Sequence, residues 1–406
     1  MRFRHPDGTT VHLAYCTNVH PAEDLAGVRD QLGRYGEPVR ERLGVDRLGL
    51  GLWLARPVLD ELLADGAALR RLRADLEARG LEVVTLNGFP YRGFGGAVVK
   101  HRVYRPDWAD PERLRYTLDL ARVLTELLPD DARRGSISTL PLGWRADWTP
   151  RHADPARRQL DRLARELARI SGSTGRLLRV GFEPEPGCVV ESTADAVREL
   201  ADAAGPHLGV CLDACHLAVE HEEPAAALDR LAAAGLEVVK LQASAALVAD
   251  RPRSAAGRTA LEPYAEPRFL HQTREPGADG LLRRDDLDQA LAGPDPLPGE
   301  HPWRVHFHVP LGAEPAAPLA STGPVLRETL GLLLGGPRAA VDHIEVETYT
   351  WPVLPPGPER RAPDASAAAR TVGATAGAPD PVGGIAEELD WTRVELQRLG
   401  LKETDS

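Results

Sequence analysis

RVGFEPEPGCVVESTADAVRELADAAGPHLGVCLDACH, residues 179–216, contains the unit that decides the fold: an apolar run, a helical stretch and a second apolar run. Each run is rich in branched residues and ends in acids or an imidazole. In an extended strand alternate side chains face opposite sides, so Phe182, Val210 and Leu212 face one way while Glu183 and Asp213 face the other. HIEVETYTW at 343–351 repeats the pattern, with Ile344 and Val346 opposite Glu345 and Glu347. Carboxylates therefore finish on the inner faces of buried strands. Burying such groups costs on the order of several kcal/mol each unless cations or donors answer them, so this set marks a site.

Outward from this unit the same alternation recurs. Strand-like runs occur at 11–18, 47–54, 81–89, 135–143, 179–187, 208–216, 236–244, 304–311 and 344–351. Between them stretches such as PVLDELLADGAALRRLRADLEARG at 57–80 space apolar residues three and four apart, as an amphipathic helix does. Alternating strands and helices predict a parallel sheet, and eight such units close into a (β/α)8 TIM barrel with its chemistry at the strand C-terminal ends. Nine candidates exceed eight, so one lies outside. RVHFHVPL at 304–311 is the one expected there, because the stretch 245–303 is too long and irregular for one crossover helix and reads as an inserted lobe. The expected organisation is a barrel over 1–354 with that insertion, a Pro/Ala/Gly-rich disordered linker at 355–382, and a helix at 383–400 completing the barrel.

The bulk properties narrow the function. Asp and Glu outnumber Lys and Arg by 60 to 49, for a formal charge of −11, which disfavours nucleic acid and anionic membranes as partners. No apolar run approaches the roughly 20 residues of a membrane helix, and the N-terminus lacks a secretory segment, so a cytoplasmic protein without membrane insertion is expected. Cys16, Cys188, Cys211 and Cys215 form no CxxC pair and are expected to be reduced and packed.

If Glu183, Asp213, Gln242 and Glu347 come from strands of one barrel, their oxygens converge into the shell that Mg2+, Mn2+ or Co2+ accepts. The competing arrangement is a salt-bridge network in which Lys240, on the face of Gln242, neutralises an acid and leaves no metal. Glu345, one step deeper than Glu347, needs an inner partner such as His343 or an arginine. Glu185 stands between two prolines, whose fixed φ makes its direction unreadable. His216 suits a metal or a substrate hydroxyl. His306 and His308 share one face, where they can hold a transition metal or grip an anionic substrate. A metal-free polar pocket is favoured for that pair. Asn18, His20, Asn87, Tyr91, Ser138 and Trp144 fall where strands end and are expected around the mouth. GFGG at 93–96 lacks the lysine of a phosphate loop and reads as a flexible lid beside Tyr91.

FEPEPG, LDACH, KLQAS and EVETYTW resemble the metal-site strands of the xylose-isomerase-like TIM barrels, which include sugar epimerases, hydroxypyruvate isomerases and AP endonucleases. That resemblance implies a divalent ion held by Glu183, Asp213, Gln242 and Glu347, with Glu183 and Glu347 also serving as the acid–base pair and His216 binding substrate. His306, His308, Asn87 and Lys240 complete the expected substrate contacts. LAYCTNVHP, TLNGFPY, VVKHRVYRPDW, STLPLGW, FLHQTRE, FHVPL and EVETYTWPVLP further resemble the EboE-type family of TIM-barrel metabolite traffic proteins. The likeness implies a small-molecule metabolite as ligand and the products of neighbouring metabolite-traffic genes as partners. Gln242 stands where the epimerases have histidine, and Lys240 crowds the site. Two functions follow: a metal-dependent isomerase or epimerase of a small hydroxylated or carbonyl metabolite, or a carrier that keeps the barrel without turnover. Neither substrate nor oligomeric state is readable from the residues.

Overall fold

Strands covered on both faces are buried along their whole length, and the eight that pair in parallel here are almost wholly buried, with polar residues such as Glu82, Ser136, Lys240 and Glu345 among the apolar ones. The computed structural model describes residues 1–355 and 380–404. Its barrel strands are β1 (Thr10–Cys16), β2 (Leu48–Trp53), β3 (Leu81–Asn87), β4 (Arg134–Thr139), β5 (Leu177–Phe182), β6 (Leu208–Asp213), β7 (Val238–Ala243) and β8 (His343–Val346). Each pairs in parallel with the next, and β8 returns to β1 in the register His343 with His12 through Val346 with Tyr15. The ring is closed, as eight strand–helix units predict. Antiparallel strands Arg2–Arg4 and Lys402–Glu403 extend the sheet beside β1.

Between β7 and β8 the chain builds a second sheet. Its five strands are Leu247–Ala249, Thr273–Gly277, Gly280–Arg284, Trp303–Val305 and Leu319–Ser321. Of RVHFHVPL only the start is strand, and it pairs with Leu247–Ala249 and Thr273–Gly277 rather than with the barrel. The excursion thus reaches Ser321, further than 245–303. A buried guanidinium fastens it: Arg274 donates to Glu220 at 2.7 Å and to Glu191 at 3.3 Å, in the segments that follow β6 and β5. This docking carries His306 and His308 back over the mouth.

The helix Pro381–Arg398 is capped by Asp380, whose carboxylate accepts from Gly383 N at 3.0 Å. It buries Ile385, Leu389 and Leu396, and its Glu388 accepts from Leu311 N at 2.9 Å and Trp351 Nε1 at 2.8 Å, joining the lobe to the segment after β8. Apart from its ends, the 355–382 stretch lies outside the described residues.

One glycine inside β2 is dictated by close approach. A Cβ on Gly51 would lie 1.3 Å from Glu345 Oε1. Gly51→Ala is therefore expected to lose several kcal/mol of stability, about the scale of severe overpacking, as a fall in the urea midpoint of the purified protein.

Candidate functional site at the barrel mouth

β5, β6 and β8 all finish at one end of the barrel, and each leaves a carboxylate there. Glu183, Asp213 and Glu347 each offer one oxygen, and these lie within 4.8 Å of one another. Asp213 is the last residue of β6, where Oδ1 accepts from His216 N at 3.0 Å and Ser244 Oγ at 2.7 Å. Asn18 and Asn87, at the ends of β1 and β3, donate to Glu347 Oε1 at 3.2 and 3.3 Å. Gln242 is paired in register with Asp213 on β7. Glu183 Oε2, Asp213 Oδ2 and both amide atoms of Gln242 are buried without a hydrogen-bond partner. Orphaned polar atoms at this density are costly in a closed fold, and the three oxygens among them suit an ion ringed by oxygen.

The electrostatics agree. Burial, then the neighbouring Glu347 and Asp213, holds the Glu183 carboxyl well above the usual range. Burial, then Glu345 and Asp213, pushes Glu347 up to about 8. Carboxyl groups in such surroundings keep protons near neutrality unless positive charge replaces them.

Lys240 sits one layer deeper than expected of a mouth residue. Its Nζ is paired with Glu345 and also donates to Ser138 Oγ at 3.4 Å, and both partners of the ion pair are fully buried. Burial alone would lower the ammonium's pKa, but the Glu345 charge overrides it and holds it raised. Lys240 therefore answers Glu345, the acid that needed an inner partner, rather than Glu183 or Glu347. It does not line the cavity above.

His216, expected beside Asp213, is joined by His306 and His308 from the lobe. His216 Nε2 lies 3.0 Å from His306 Nε2, which lies 3.3 Å from His308 Nε2. A third histidine is thus beside the HFH pair, 90 residues away in sequence, and Cys215 Sγ is within 4.8 Å of donor atoms on both His306 and His308. Glu185 also arrives here: Oε2 is 3.1 Å from His216 Nε2, and Oε1 accepts from Tyr104 Oη at 2.8 Å. Sequence reasoning missed Tyr104, Gln272, Cys215 and Tyr349. All four lie inside strings quoted for the family resemblances, VVKHRVYRPDW, FLHQTRE, LDACH and EVETYTW, but none was singled out as a site residue.

The cleft over these groups has about 540 Å3 of empty space, part of it open to solvent. Its floor is Asn18, Asn87, Glu183, Glu185, His216, His306, His308 and Glu347, and its walls include Phe89, Phe94, Val103, Phe269, Leu270 and Tyr349. Phe94 of the GFGG loop packs against Phe269 and Tyr349 at ring-centroid distances of 5.5 and 5.8 Å. Other expected mouth residues lie elsewhere. His20 stacks on Tyr35 at 4.3 Å beside a separate surface cleft, Tyr91 donates to Glu112, and Trp144 stacks behind Tyr104.

A closed ring of eight parallel strands with convergent carboxylates at its carboxyl end defines a TIM barrel whose mouth is its chemical face. The chain belongs to the xylose isomerase-like TIM barrel family, whose model matches residues 41–259. That span includes Glu183, Asp213 and Gln242, whereas His306, His308 and Glu347 lie beyond it. A candidate sugar phosphate isomerase/epimerase from Anabaena variabilis is similar at 13% identity over 96% of this chain and 99% of its own, with a TM-score of 0.51. A xylose isomerase-like TIM barrel protein from Mycobacterium smegmatis, solved in complex with magnesium, is similar at 11% identity over 96% and 97%, also with a TM-score of 0.51. At these identities the likeness is one of fold. No curated protein matches the chain. Among the described residues no helix is long and apolar enough to cross a membrane.

Proposed function

We propose that this chain is a cytoplasmic enzyme of metabolite traffic or processing, of the EboE type, that isomerises or epimerises a small hydroxylated or carbonyl metabolite with the help of a divalent ion. The observation that carries the reading is the set of unpartnered buried atoms on Glu183, Asp213 and Gln242, next to Glu347. These four residues would hold Mg2+, Mn2+ or Co2+. Such an ion, when bound, supplies Lewis acidity that polarises neighbouring substrate oxygens. The chain's own part is proton handling. Glu183 and Glu347 follow different strands of the ring, β5 and β8, which places two carboxylates at the mouth to take up and return a proton. Asn18 and Asn87 hold one oxygen of Glu347 and leave the other to act.

The lining also narrows the ligand. No arginine lines the cavity among the described residues, and its lysine, Lys100, is paired with Asp286. The aromatic walls favour a substrate with an apolar portion over a phosphorylated sugar. A carrier without turnover would be favoured by an ammonium in the ion's place, but Lys240 is committed to Glu345.

Metal analysis of the purified chain tests the reading. The expected result is stoichiometric Mn2+ or Mg2+ that raises the melting temperature and is lost in Asp213→Ala. No ion at saturating metal, with metabolite binding unchanged in chelator, favours the carrier.

A further inference from the structure

The long helix between β4 and β5, Pro150–Thr174, carries a charge pattern that the barrel does not use. Ala156, Leu160, Leu163, Leu167 and Ile170 are buried against the sheet, which fixes how the helix is turned. With about 3.6 residues per turn, Arg151, Arg158, Arg162, Arg165 and Arg169 then fall within an arc of about 60° on the far face, and all five are exposed. The row runs about 27 Å along the helix. Arg169 meets Glu166 at 3.0 Å, whereas the other four have no acidic partner among the described residues.

The fold itself gains nothing from this arrangement. Like charges three and four residues apart weaken a helix, and Arg158, Arg162, Arg165 and Arg169 follow one another at those spacings. Elsewhere the chain sets an acid at such a position: Arg73 meets Glu77 at 2.8 Å, Arg115 meets Glu112 at 2.6 Å and Arg198 meets Asp195 at 2.6 Å. The chain as a whole carries a charge of −11, so the row is not a by-product of a basic composition.

The flanks limit what can lie on the row. Asp154 and Asp161 border it on one side and Glu166 on the other. A bilayer or a nucleic-acid duplex is broader than the row and would set its phosphates against those acids. A bilayer also needs an apolar anchor, and among the described residues the exposed large apolar side chains, Leu63, Val98, Leu282, Leu332 and Val394, all lie elsewhere. A single helix is narrow enough to meet the arginines alone, and guanidinium forks pair with carboxylates through two parallel hydrogen bonds. We propose that the face of Arg151, Arg158, Arg162, Arg165 and Arg169 docks an acidic helix of a partner protein, whose carboxylates repeat three, four and seven residues apart. This goes beyond the isomerase reading and does not depend on it.

Fluorescence anisotropy of a labelled alanine–glutamate helical peptide with that repeat, titrated with full-length protein at low and at physiological salt, tests the proposal. The expected result is saturable binding that weakens as salt rises and falls about 10–100-fold in the triple variant Arg158→Gln, Arg162→Gln, Arg165→Gln, each exposed pair contributing up to about fivefold. A control with the same loss of charge, Arg73→Gln, Arg115→Gln, Arg198→Gln, should keep the affinity within about twofold, because those guanidinia lie off the row. The triple variant should melt no lower than wild type, since it removes repulsion. No binding by wild type, equal losses in the two variants, or a triple variant that melts lower overturns the docking face. Tighter binding of phosphatidylserine vesicles or of duplex RNA, lost in the triple variant, overturns the acidic helix as the partner. Mn2+ binding at the mouth should be the same in the triple variant and wild type, so failure of the isomerase reading and failure of this surface are read separately.

Discussion

Replacing Lys240 with methionine should cost about 3–5 kcal/mol of stability, the scale seen when one partner of a buried ion pair is removed. Lys240 and Glu345 are both fully buried, and Glu345 shares the barrel interior with Gly51, whose missing Cβ makes room for its carboxylate. Without the ammonium an uncompensated carboxylate remains inside the ring. Adding Glu345→Gln removes that charge, so the double variant should recover most of the loss; the coupling between the two sites is the quantity to measure, by equilibrium urea unfolding of all four proteins. A Lys240→Met protein as stable as wild type would mean that the pair does not bear on folding. A lysine whose task is to bind substrate would instead lower metabolite affinity and leave the urea midpoint alone. The pair also matters above its own layer, because the Glu345 charge is one of the influences that raise Glu347.

The depth of Lys240 illustrates what was legible in the chain and what was not. Period-2 alternation places Lys240 and Gln242 on one face of β7, but which acid each meets depends on the register between strands. A register irregularity between β6 and β7 sets Cys211 opposite Lys240 and Asp213 opposite Gln242. Local periodicity carries no such information. The eight strands were readable because they are short apolar runs bounded by turn residues, and the convergence of Glu183, Asp213 and Glu347 follows from closing them into a ring. Glu185 was unreadable because two prolines suspend the alternation, and only the fold turns it toward His216. The imidazole cluster required contacts across 90 residues, which depend on Arg274 anchoring the lobe to Glu191 and Glu220. The lobe itself extends past 303 through a three-residue strand, Leu319–Ser321, that follows a Pro/Ala-rich stretch and has too little pattern to be recognised alone.

In chelator-treated protein, the stability of wild type relative to Glu347→Gln should fall as pH rises from about 5 to about 8. Burial, with Glu345 and Asp213 adding to it, puts the folded carboxyl at about 8, whereas an unfolded glutamate titrates near about 4.3. Below the unfolded value the group is protonated in both states and the full contribution is present. Between the two values the unfolded chain releases its proton and the folded chain keeps it, so every step upward in pH favours unfolding. The loss is complete once the pH passes the folded value, and its size is on the order of a few kcal/mol. Glutamine has no proton to lose and shows no such slope. Buried His306 and His308, with lowered pKa values, act in the opposite direction by weakening the fold as pH falls, but they are common to both proteins and cancel in the difference. A divalent ion bound by ionised carboxylates must reverse the dependence: stabilisation by saturating Mn2+ should grow over the same pH window, because protons and the ion compete for the same oxygens. A difference curve that stays flat from pH 5 to 8 in the absence of metal would mean that Glu347 is already ionised, its charge answered by Asn18, Asn87 and the pair beneath it, and would remove it as a proton carrier.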